Sequence, residues 1–554
     1  MIREEINKFL KEETGEEIEN SHGRFGDYCL TPAALNRILK KENVAHADTE
    51  KKIADDLKTN FPGFIEKVEF ESGFLNIYLS KSAYERELKE MSGKVNDYLK
   101  DASNSNQTIV FDYSGPNIAK PFSVGHLRST IIGQANYNIH KALGYTVVGI
   151  NHIGDWGTQF GKLIYAICEW GDEDKIAKNP IEELNCLYIK FHEEAEKNPQ
   201  LEDLARAWSK KLEDGDKQAR DLWKKCVDWS FKEFDRIYKI LNIKIDNVVG
   251  ESFYEDKLAF VVKELESKNL LEKSEGALIV KLDNLPPALI KRQDGGALYM
   301  TRDLAALKYR IDKYKSREIV YHVGQDQDLH FKQLESIAQK LGWLENTHIV
   351  FAGHGMMRLP EGKMSTRKGR VILLDDLIRE AEMRVLAYEK DREVSNIEGK
   401  ELELATSAIK YADLSTNRLS DVVFSFDRLI DLKGNSAIYL QYSYARMRSL
   451  LSEFTKRFGG EKITEELPIE ATEIAKAAIF YKDTLLRSAN ANQPNILCDF
   501  AFDFANKFNS FYEKQRIITD DASQSSKNIW IVKISKDLLG SMLDLLGLSK
   551  LDKI

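Results

Sequence analysis

Hydrophobic and polar positions change their period several times along the chain, and each change predicts a different element. Apolar residues return every three or four positions across residues 4–10, the spacing of a helix with one buried face. Another helix is expected at EKKIADDL, with Asp48 or Thr49 as its cap. The segment EKVEFESGFLNIYLS instead alternates, which predicts a β-hairpin. The first hundred residues therefore predict a small α/β module.

A polar linker at residues 101–107 separates this module from a different pattern. The β-rich run TIVFDY is followed by a turn-rich loop, by the helical spacing of VGHLRSTIIGQANYNIHKAL and by a strand in YTVVGIN. This order is a βαβ unit, the building block of a parallel sheet with its ligand site at the carboxyl ends of the strands. Further strands are expected at GALIVKL, ALYMT and EIVYHVG.

Helical spacing dominates the rest of the chain. Residues 170–250 are helical and charged, and from about Asp375 the pattern predicts a helix bundle. The predicted fold class is α/β. It comprises an N-terminal α/β module at 1–105, a Rossmann-type parallel-sheet domain at 106–385 with the helical insertion, and an all-α bundle at 386–554.

Composition narrows the class of protein. With 554 residues, of which 43% are hydrophobic types, the chain can bury a large core. No stretch approaches the ~20 apolar residues that a membrane-spanning helix needs, and the acidic opening is unlike a targeting peptide. We therefore expect a cytoplasmic protein without a membrane partner. Five scattered cysteines suggest neither a zinc site nor a disulfide framework, and the net charge of -8 argues against indiscriminate nucleic-acid binding.

The segment SVGHLRST, at a junction of loop and helix, is the first candidate for chemistry. A helix start presents unpaired N–H groups and a positive dipole end, which favour phosphate. Ser123 can cap the helix, Gly125 leaves room for a base or a backbone, and His126 offers a donor to a phosphate oxygen. These features predict an ATP site, although they are also typical of an ordinary capped helix.

A second candidate is EGKMSTRKGR, at residues 361–370. Lys363, Arg367, Lys368 and Arg370 lie there among small residues, so the segment could close over a triphosphate as a cationic clamp. A solvated charged loop is the alternative.

Seven segments follow the order found in arginyl-tRNA synthetases. They are SGPNIAKPFSVGHLRST, NHIGDWGTQFG, LYMTRDLAALKYR, HVGQDQDLHF, GKMSTRKG, AIKYADLSTNR and YLQYSYARMRSL. The chain resembles this family over about 110–450, and ESGFLNIYLS extends the resemblance into the N-terminal module. SVGH and KMSTR are similar to class I synthetases in general, whereas the other segments resemble the arginine member.

The resemblance implies an ATP-dependent arginine-tRNA ligase. Such an enzyme converts L-arginine and ATP to arginyl adenylate and pyrophosphate, then transfers arginine to the 3′ terminal ribose of tRNA(Arg) and releases AMP. The substrate carboxylate attacks the α-phosphate, so no protein nucleophile is required. ATP is expected to carry its own Mg²⁺, with no metal held by the protein, and the expected form is a monomer.

The resemblance also implies residues for the ATP side of the site. Catalytic roles are expected for Lys120, His126, Lys363, Ser365 and Arg367, and ATP contacts for Ser123, Gly125, His126, Lys363 and Met364. The sequence departs from the class pattern twice: Ser123 stands where histidine is usual, and Thr366 where many members have lysine. Lys120 resembles the upstream lysine of many arginine enzymes and is expected to supply the missing charge. An exposed loop lysine is its alternative.

Arginine selection requires acceptors for a planar group with five N–H donors. The resemblance assigns this task to Asp112, Gly115, Asn117, His126, Tyr299, Asp303 and Gln327. Asp303 is expected to make the forked carboxylate contact, and Asp112 to bind the α-amino group. Asp303 could instead cap the helix DLAALKYR, Tyr299 could be a half-buried strand aromatic, and Gln327 a turn residue.

Tyrosines and arginines alternate in YLQYSYARMRSL, within the predicted bundle. Rings that stack bases beside cations that bind phosphates are what single-stranded RNA loops require. By resemblance the bundle binds the anticodon, with Tyr439, Arg446 and Tyr512 as expected contacts, and the N-terminal module contacts the outer corner of the tRNA. A helix whose tyrosines face the core is the alternative.

Two rival interpretations stay open. The first keeps the enzyme class but changes the amino acid to glutamine, glutamate or cysteine. The second is a non-catalytic RNA-binding relative, which Ser123 and Thr366 suggest because both depart from the class pattern.

Overall fold

The computed structural model describes residues 1–20, 26–42, 46–292, 299–358, 373–392, 399–423, 434–459 and 462–551. The N-terminal module contains α1 (Ile2–Glu13), β1 (Glu19–Asn20), β2 (Tyr28–Leu30), α2 (Pro32–Glu42), α3 (His46–Asn60), β3 (Ile65–Glu71), β4 (Phe74–Leu79), α4 (Lys81–Met91) and α5 (Val95–Leu99). Its antiparallel sheet has the order β1-β2-β4-β3.

The predicted hairpin is β3–β4, which turns through Ser72 and Gly73 at φ 51° and 81°. Two positive φ values give a turn whose twist matches that of the strands. The caps predicted for the helix EKKIADDL, which is part of α3, were wrong: α3 already begins at His46, so Asp48 and Thr49 lie inside it.

The central region alternates strands and helices. Its elements are β5 (Thr108–Asp112), α6 (Val124–Ala142), β6 (Thr146–Asn151), α7 (Thr158–Trp170), α8 (Glu173–Lys178), α9 (Pro180–Lys197), α10 (Gln200–Glu213), α11 (Lys217–Ile240), β7 (Asn247–Val248), α12 (Leu258–Ser267), β8 (Leu271–Ser274), β9 (Ala277–Leu282), β10 (Leu285–Lys291), α13 (Tyr299–Tyr314), β11 (Glu318–Tyr321), α14 (Asp328–Leu341) and β12 (His348–Phe351). The predicted βαβ unit is β5-α6-β6, whose strands pair in parallel. Helices α8 to α11 lie within the helical segment predicted at residues 170–250.

One of the three further predicted strands is wrong, and another is a strand outside the parallel sheet. Tyr299 to Thr301 of ALYMT are the first turn of α13, because alternation over so few residues does not distinguish a strand from a helix start. GALIVKL does form β9, but β9 belongs to a separate antiparallel sheet of order β10-β9-β8.

The remainder is almost wholly helical, as expected. It comprises β13 (Met357–Arg358), α15 (Leu374–Arg392), α16 (Glu401–Leu414), β14 (Val422–Val423), α17 (Ala437–Phe458), α18 (Thr472–Ile479), α19 (Tyr481–Ala491), α20 (Asn495–Lys514) and α21 (Ala522–Leu545). Its core includes Trp530, Phe504 and Tyr481, all of them fully buried. In the described part of the chain, no helix is both long and apolar enough to cross a membrane.

The N-terminal module packs against this helical region. Arg3 forms an ion pair with Asp483, and Lys482 lies 2.9 Å from Glu4. The backbone N–H of Leu467 donates to Glu85 at 2.9 Å. The N-terminal module is therefore in direct contact with α19 and with the segment before α18.

Candidate active site

The parallel sheet positions the site. Its order is β12-β11-β5-β6-β7. The chain passes from β5 to β6 on one side of β5, whereas the later strand β11 lies on the other side, so the strand order reverses between β5 and β11. At such a point a crevice opens at the carboxyl ends of the two central strands. Asp112 ends β5 in register with Tyr321, which ends β11.

A cavity of about 700 Å³ occupies this crevice. Its volume is that of a typical small-molecule site. The predicted residues among those lining it are Asp112, Gly115, Asn117, Ser123, Gly125, His126, Asp303 and Gln327. The structure thus brings together most of the residues expected to bind ATP and arginine that lie in its described part.

The amino end of α6 forms one wall of the cavity. Ser123 is the N-cap residue, and its backbone N–H donates to Nδ1 of His126 at 3.2 Å. Burial, assisted by the charge of Lys120, lowers the pKa of His126 to about 4. The ring is therefore neutral at pH 7 and carries its proton on Nε2, which is left as a donor. Among the described residues, a side chain at Gly125 would contact Ser123 Oγ, at 3.4 Å.

The loop between β5 and α6 is held in an unusual conformation. Ser114, Gly115 and Ala119 have φ values of 80°, 58° and 60°. For the two residues with side chains this region is costly. Hydrogen bonds hold the loop in place: Ser114 N donates to Ser129 Oγ at 3.0 Å, and Ala119 N donates to Ser230 Oγ at 2.8 Å.

Asp303 lies on α13, four residues after its start, so it is not the cap of that helix. Its Oδ2 is 2.6 Å from Nε2 of His330, and its Oδ1 is 3.9 Å from Nε2 of His152. Burial lowers the pKa of His152, and the nearby charge of Arg310 lowers it further. His152 is thus a neutral neighbour, and Asp303 is one of the acidic groups that line the cavity.

Asp112 is already paired. Its Oδ2 lies 2.7 Å from the guanidinium of Arg310, and both side chains are buried. A contact with the α-amino group of arginine would share this carboxylate with Arg310. The sequence did not indicate Arg310, because α13 contains several charged residues and their spacing does not show which of them is buried.

Glu251 is a second acidic group that the sequence did not indicate. Its Oε2 is buried without a hydrogen-bond partner in the described structure. Burial raises its pKa to about 8, although Arg302 opposes the shift. A side chain at Gly154 would lie 2.5 Å from Asn117 Oδ1 and 3.9 Å from Glu251 Oε1, so Glu251 adjoins the wall of the cavity.

Two predicted residues do not line the cavity. Tyr299 is 68% exposed at the start of α13. The ammonium of Lys120 lies 5.1 Å from the ring centre of Tyr188, on α9. Lys363, Met364, Ser365 and Arg367 lie outside the described residues. The roles of all six stay predictions.

Arg128 joins the first motif to the helical region. It begins the second turn of α6, forms a 2.8 Å ion pair with Asp413 on α16, and also donates to the carbonyl of Gly355. Both charged side chains are at most 2% exposed. The segments SVGHLRST and AIKYADLSTNR each contain one partner, but neither spacing predicts their contact.

The residues expected to bind tRNA are neighbours. Arg446 donates to Asn509 at 2.6 Å, and Asn509 donates to the hydroxyl of Tyr439 at 2.9 Å. The guanidinium of Arg446 lies 4.7 Å from the ring centre of Tyr512, which is 38% exposed. Tyr444, by contrast, faces the core.

Family comparisons assign the fold and the site to a class. The family model described as tRNA synthetases class I (R), catalytic domain, matches residues 89–426. A second model, the DALR anticodon binding domain, matches residues 440–554. The first match covers the parallel sheet and the cavity.

Individual relatives align with almost the whole of this chain. An arginine-tRNA ligase of Exiguobacterium sp. is 40% identical over 95% of this chain and 93% of that protein. One from Clostridioides difficile is 37% identical over 99% and 97%. The crystal structure of arginyl-tRNA synthetase from Plasmodium falciparum aligns with a TM-score of 0.81 and 25% identity, covering 100% of this chain and 98% of that one. The chain belongs to the arginyl-tRNA synthetase family.

Proposed function

We propose that this protein is an arginine-tRNA ligase, which forms arginyl adenylate from L-arginine and ATP and then charges tRNA(Arg). The observation that carries the proposal is one cavity with a helix amino end on one wall and the carboxylate of Asp303 on another. Phosphate is favoured at the first and a guanidinium at the second. Family membership over the whole chain supports the same assignment.

In the first step the carboxylate of arginine attacks the α-phosphate, and pyrophosphate leaves with the electrons of the broken P–O bond. The chain's contribution is alignment and charge stabilisation. The amino end of α6 and Nε2–H of His126 donate towards the phosphates, and Gly125 lets them approach. Because His126 is neutral, it stabilises developing negative charge as a donor and not as a cation.

We assign the positive charges that stabilise the phosphates to Lys120 and to the segment EGKMSTRKGR. We propose that Lys363, Ser365 and Arg367 contact the phosphates, with Met364 beside the nucleotide. Lys120 would have to leave the ring of Tyr188 to reach them. ATP is proposed to enter with Mg²⁺, whose charge would add to that of these side chains.

The arginine end is assigned to Asp303, with Asn117, Gln327 and Gly115 around it, Tyr299 at its mouth and Asp112 towards the α-amino group. Glu251 is added as a second acid behind Asn117.

Binding of the tRNA is assigned to Tyr439, Arg446 and Tyr512 and to the N-terminal module. The boundaries 1–105, 106–385 and 386–554, a monomeric state and a cytoplasmic location complete the proposal.

A charging assay tests the function. Purified protein is incubated with ATP, Mg²⁺, tRNA(Arg) and, in parallel, arginine, glutamine, glutamate or cysteine. Esterification of tRNA with arginine alone, with release of AMP, is expected. Charging with another amino acid would reject the assignment. Binding of tRNA without arginine-dependent pyrophosphate exchange, even with tRNA present, would favour the non-catalytic alternative.

A further inference from the structure

We propose that His330 is a positioning residue for arginine selection, which holds the carboxylate of Asp303 in the orientation that receives the guanidinium. The proposal rests on the proposed function and deepens it. His330 acts through Asp303 and not by contact with the substrate.

The two oxygens of Asp303 have different surroundings. Nε2 of His330 is 2.6 Å from Oδ2, and because a carboxylate only accepts, the histidine is the donor. Nε2 of His152 is 3.9 Å from Oδ1, too far for a hydrogen bond. Within the described residues no hydrogen bond reaches Oδ1. One oxygen is therefore held by the protein, and the other keeps its lone pairs for a ligand.

The position of His330 is fixed by the core. It lies in the first turn of α14, next to Phe331, which is 6% exposed. The ring centre of Phe331 lies 4.6 Å from that of Tyr321 and 5.4 Å from that of Phe351. Because Tyr321 and Phe351 end two strands of the parallel sheet, the histidine is placed by the same framework that forms the cavity.

A held carboxylate matters because aspartate rotates easily about its last torsion. A guanidinium binds best through two parallel N–H···O contacts in one plane, so the plane of the carboxylate must be correct. Fixing that plane before arginine arrives lowers the cost of ordering on binding. A lysine ammonium has no plane to match and gains less, so the hydrogen bond favours arginine.

Two variants of His330 test the proposal. His330→Leu removes the donor, whereas His330→Gln keeps an N–H that can reach Oδ2. We expect the leucine variant to raise the KM for arginine about tenfold, as for loss of one charged hydrogen bond, with the KM for ATP and kcat unchanged. The glutamine variant should restore most of the affinity. Lys332→Ala, an exposed change on the same helix, is the matched control.

Four outcomes would overturn the proposal. The first is an unchanged KM for arginine in His330→Leu. The second is an equal rise in the KM values for arginine and ATP, and the third is a glutamine variant as impaired as the leucine variant. Each of these leaves the proposed function intact, because the wild-type protein still charges arginine. If the wild-type protein fails to do so, the fault lies in the proposed function, and the role of His330 is lost with it.

Discussion

At Asp303, residues from separate elements converge on one carboxylate. His330 comes from α14, His152 from the segment after β6, and Glu251 adds its electrostatic influence from a segment between β7 and α12. Arg302 and Arg310 lie close by, but each forms an ion pair with another carboxylate, Glu255 and Asp112 respectively, so the charge of Asp303 suits a cationic side chain.

Replacement of Asp303 by asparagine should impair the use of arginine far more than the use of ATP. The amide keeps the shape but removes the charge, so kcat/KM for arginine is expected to fall roughly ten- to a hundredfold, with little change in the KM for ATP. Steady-state kinetics with each substrate varied in turn measures this. Equal losses for both substrates would place Asp303 outside the arginine pocket.

Glu251 predicts a pH dependence of arginine binding. With its pKa raised to about 8, the carboxyl is mostly protonated at neutral pH in the free protein. A bound guanidinium stabilises the ionised form, so binding releases a proton and affinity rises as the pH increases towards and past 8. Between roughly pH 6.5 and pH 8.5 the affinity should increase on the order of tenfold.

Calorimetry of arginine binding across this range is the measurement. Glu251→Gln should bind arginine more weakly and lose most of the pH dependence. The same dependence in wild type and variant would assign it to another group.

At the scale of elements, α6 links the cavity to the helical region through Arg128 and Asp413. Burial raises the pKa of Asp413, although Arg128 opposes the shift. A buried pair of this kind does little for net stability while intact, but loss of one partner leaves a buried charge.

Asp413→Asn should therefore destabilise the protein by about 3–5 kcal/mol. Asp283→Asn, which breaks the exposed pair with Lys340, should change stability far less. Chemical unfolding of both variants provides the comparison. Similar losses would mean that the Arg128–Asp413 pair is solvated in solution.

Local pattern predicted the elements better than the site. The β-branched and aromatic residues of TIVFDY and the helical spacing after SVGH predicted β5 and α6 correctly, because both signals are local preferences of the chain. They carry no record of which distant segments bury these two elements. Packing of α13, of α14 and of the segment after β7 brings Arg310, His330 and Glu251 to the site, and packing of α16 brings Asp413 to Arg128. Asp303 and Asn117, which line the cavity, were predicted from their place in motifs that resemble the family, because no spacing in one sequence shows that they converge.

At the scale of the whole molecule, Lys410 joins three regions. From α16, its buried ammonium nitrogen donates to the carbonyls of Leu241 and Gly547, each at 2.6 Å. Leu241 follows the helical insertion, and Gly547 follows α21. Gly547 has a φ of 66°, and a side chain there would lie 2.6 Å from the lysine nitrogen, so glycine is required.

Burial lowers the pKa of Lys410 to about 7, so above that pH the side chain is mostly a neutral amine with two N–H donors for its two carbonyls. An unfolded lysine keeps its proton up to about pH 10.4. Between these values the unfolded state binds more protons, and stability contributed by this group rises with pH.

Lys410→Met should abolish this rise. The expected result is a thermal midpoint that increases less from pH 7 to about pH 9 than in the wild-type protein. The exposed Lys225→Met is the control and should behave like the wild-type protein. An identical increase in Lys410→Met and wild type would show that Lys410 is charged in the fold.

The contact between the N-terminal module and α19 has a consequence for biosynthesis. Arg3 and Glu4 contact Asp483 and Lys482, so a ribosome adds all of the intervening chain before these partners exist. At ordinary elongation rates of roughly 5–20 residues per second, the first module waits tens of seconds for its docking surface. The final docking of the module is thereby timed by the emergence of α19.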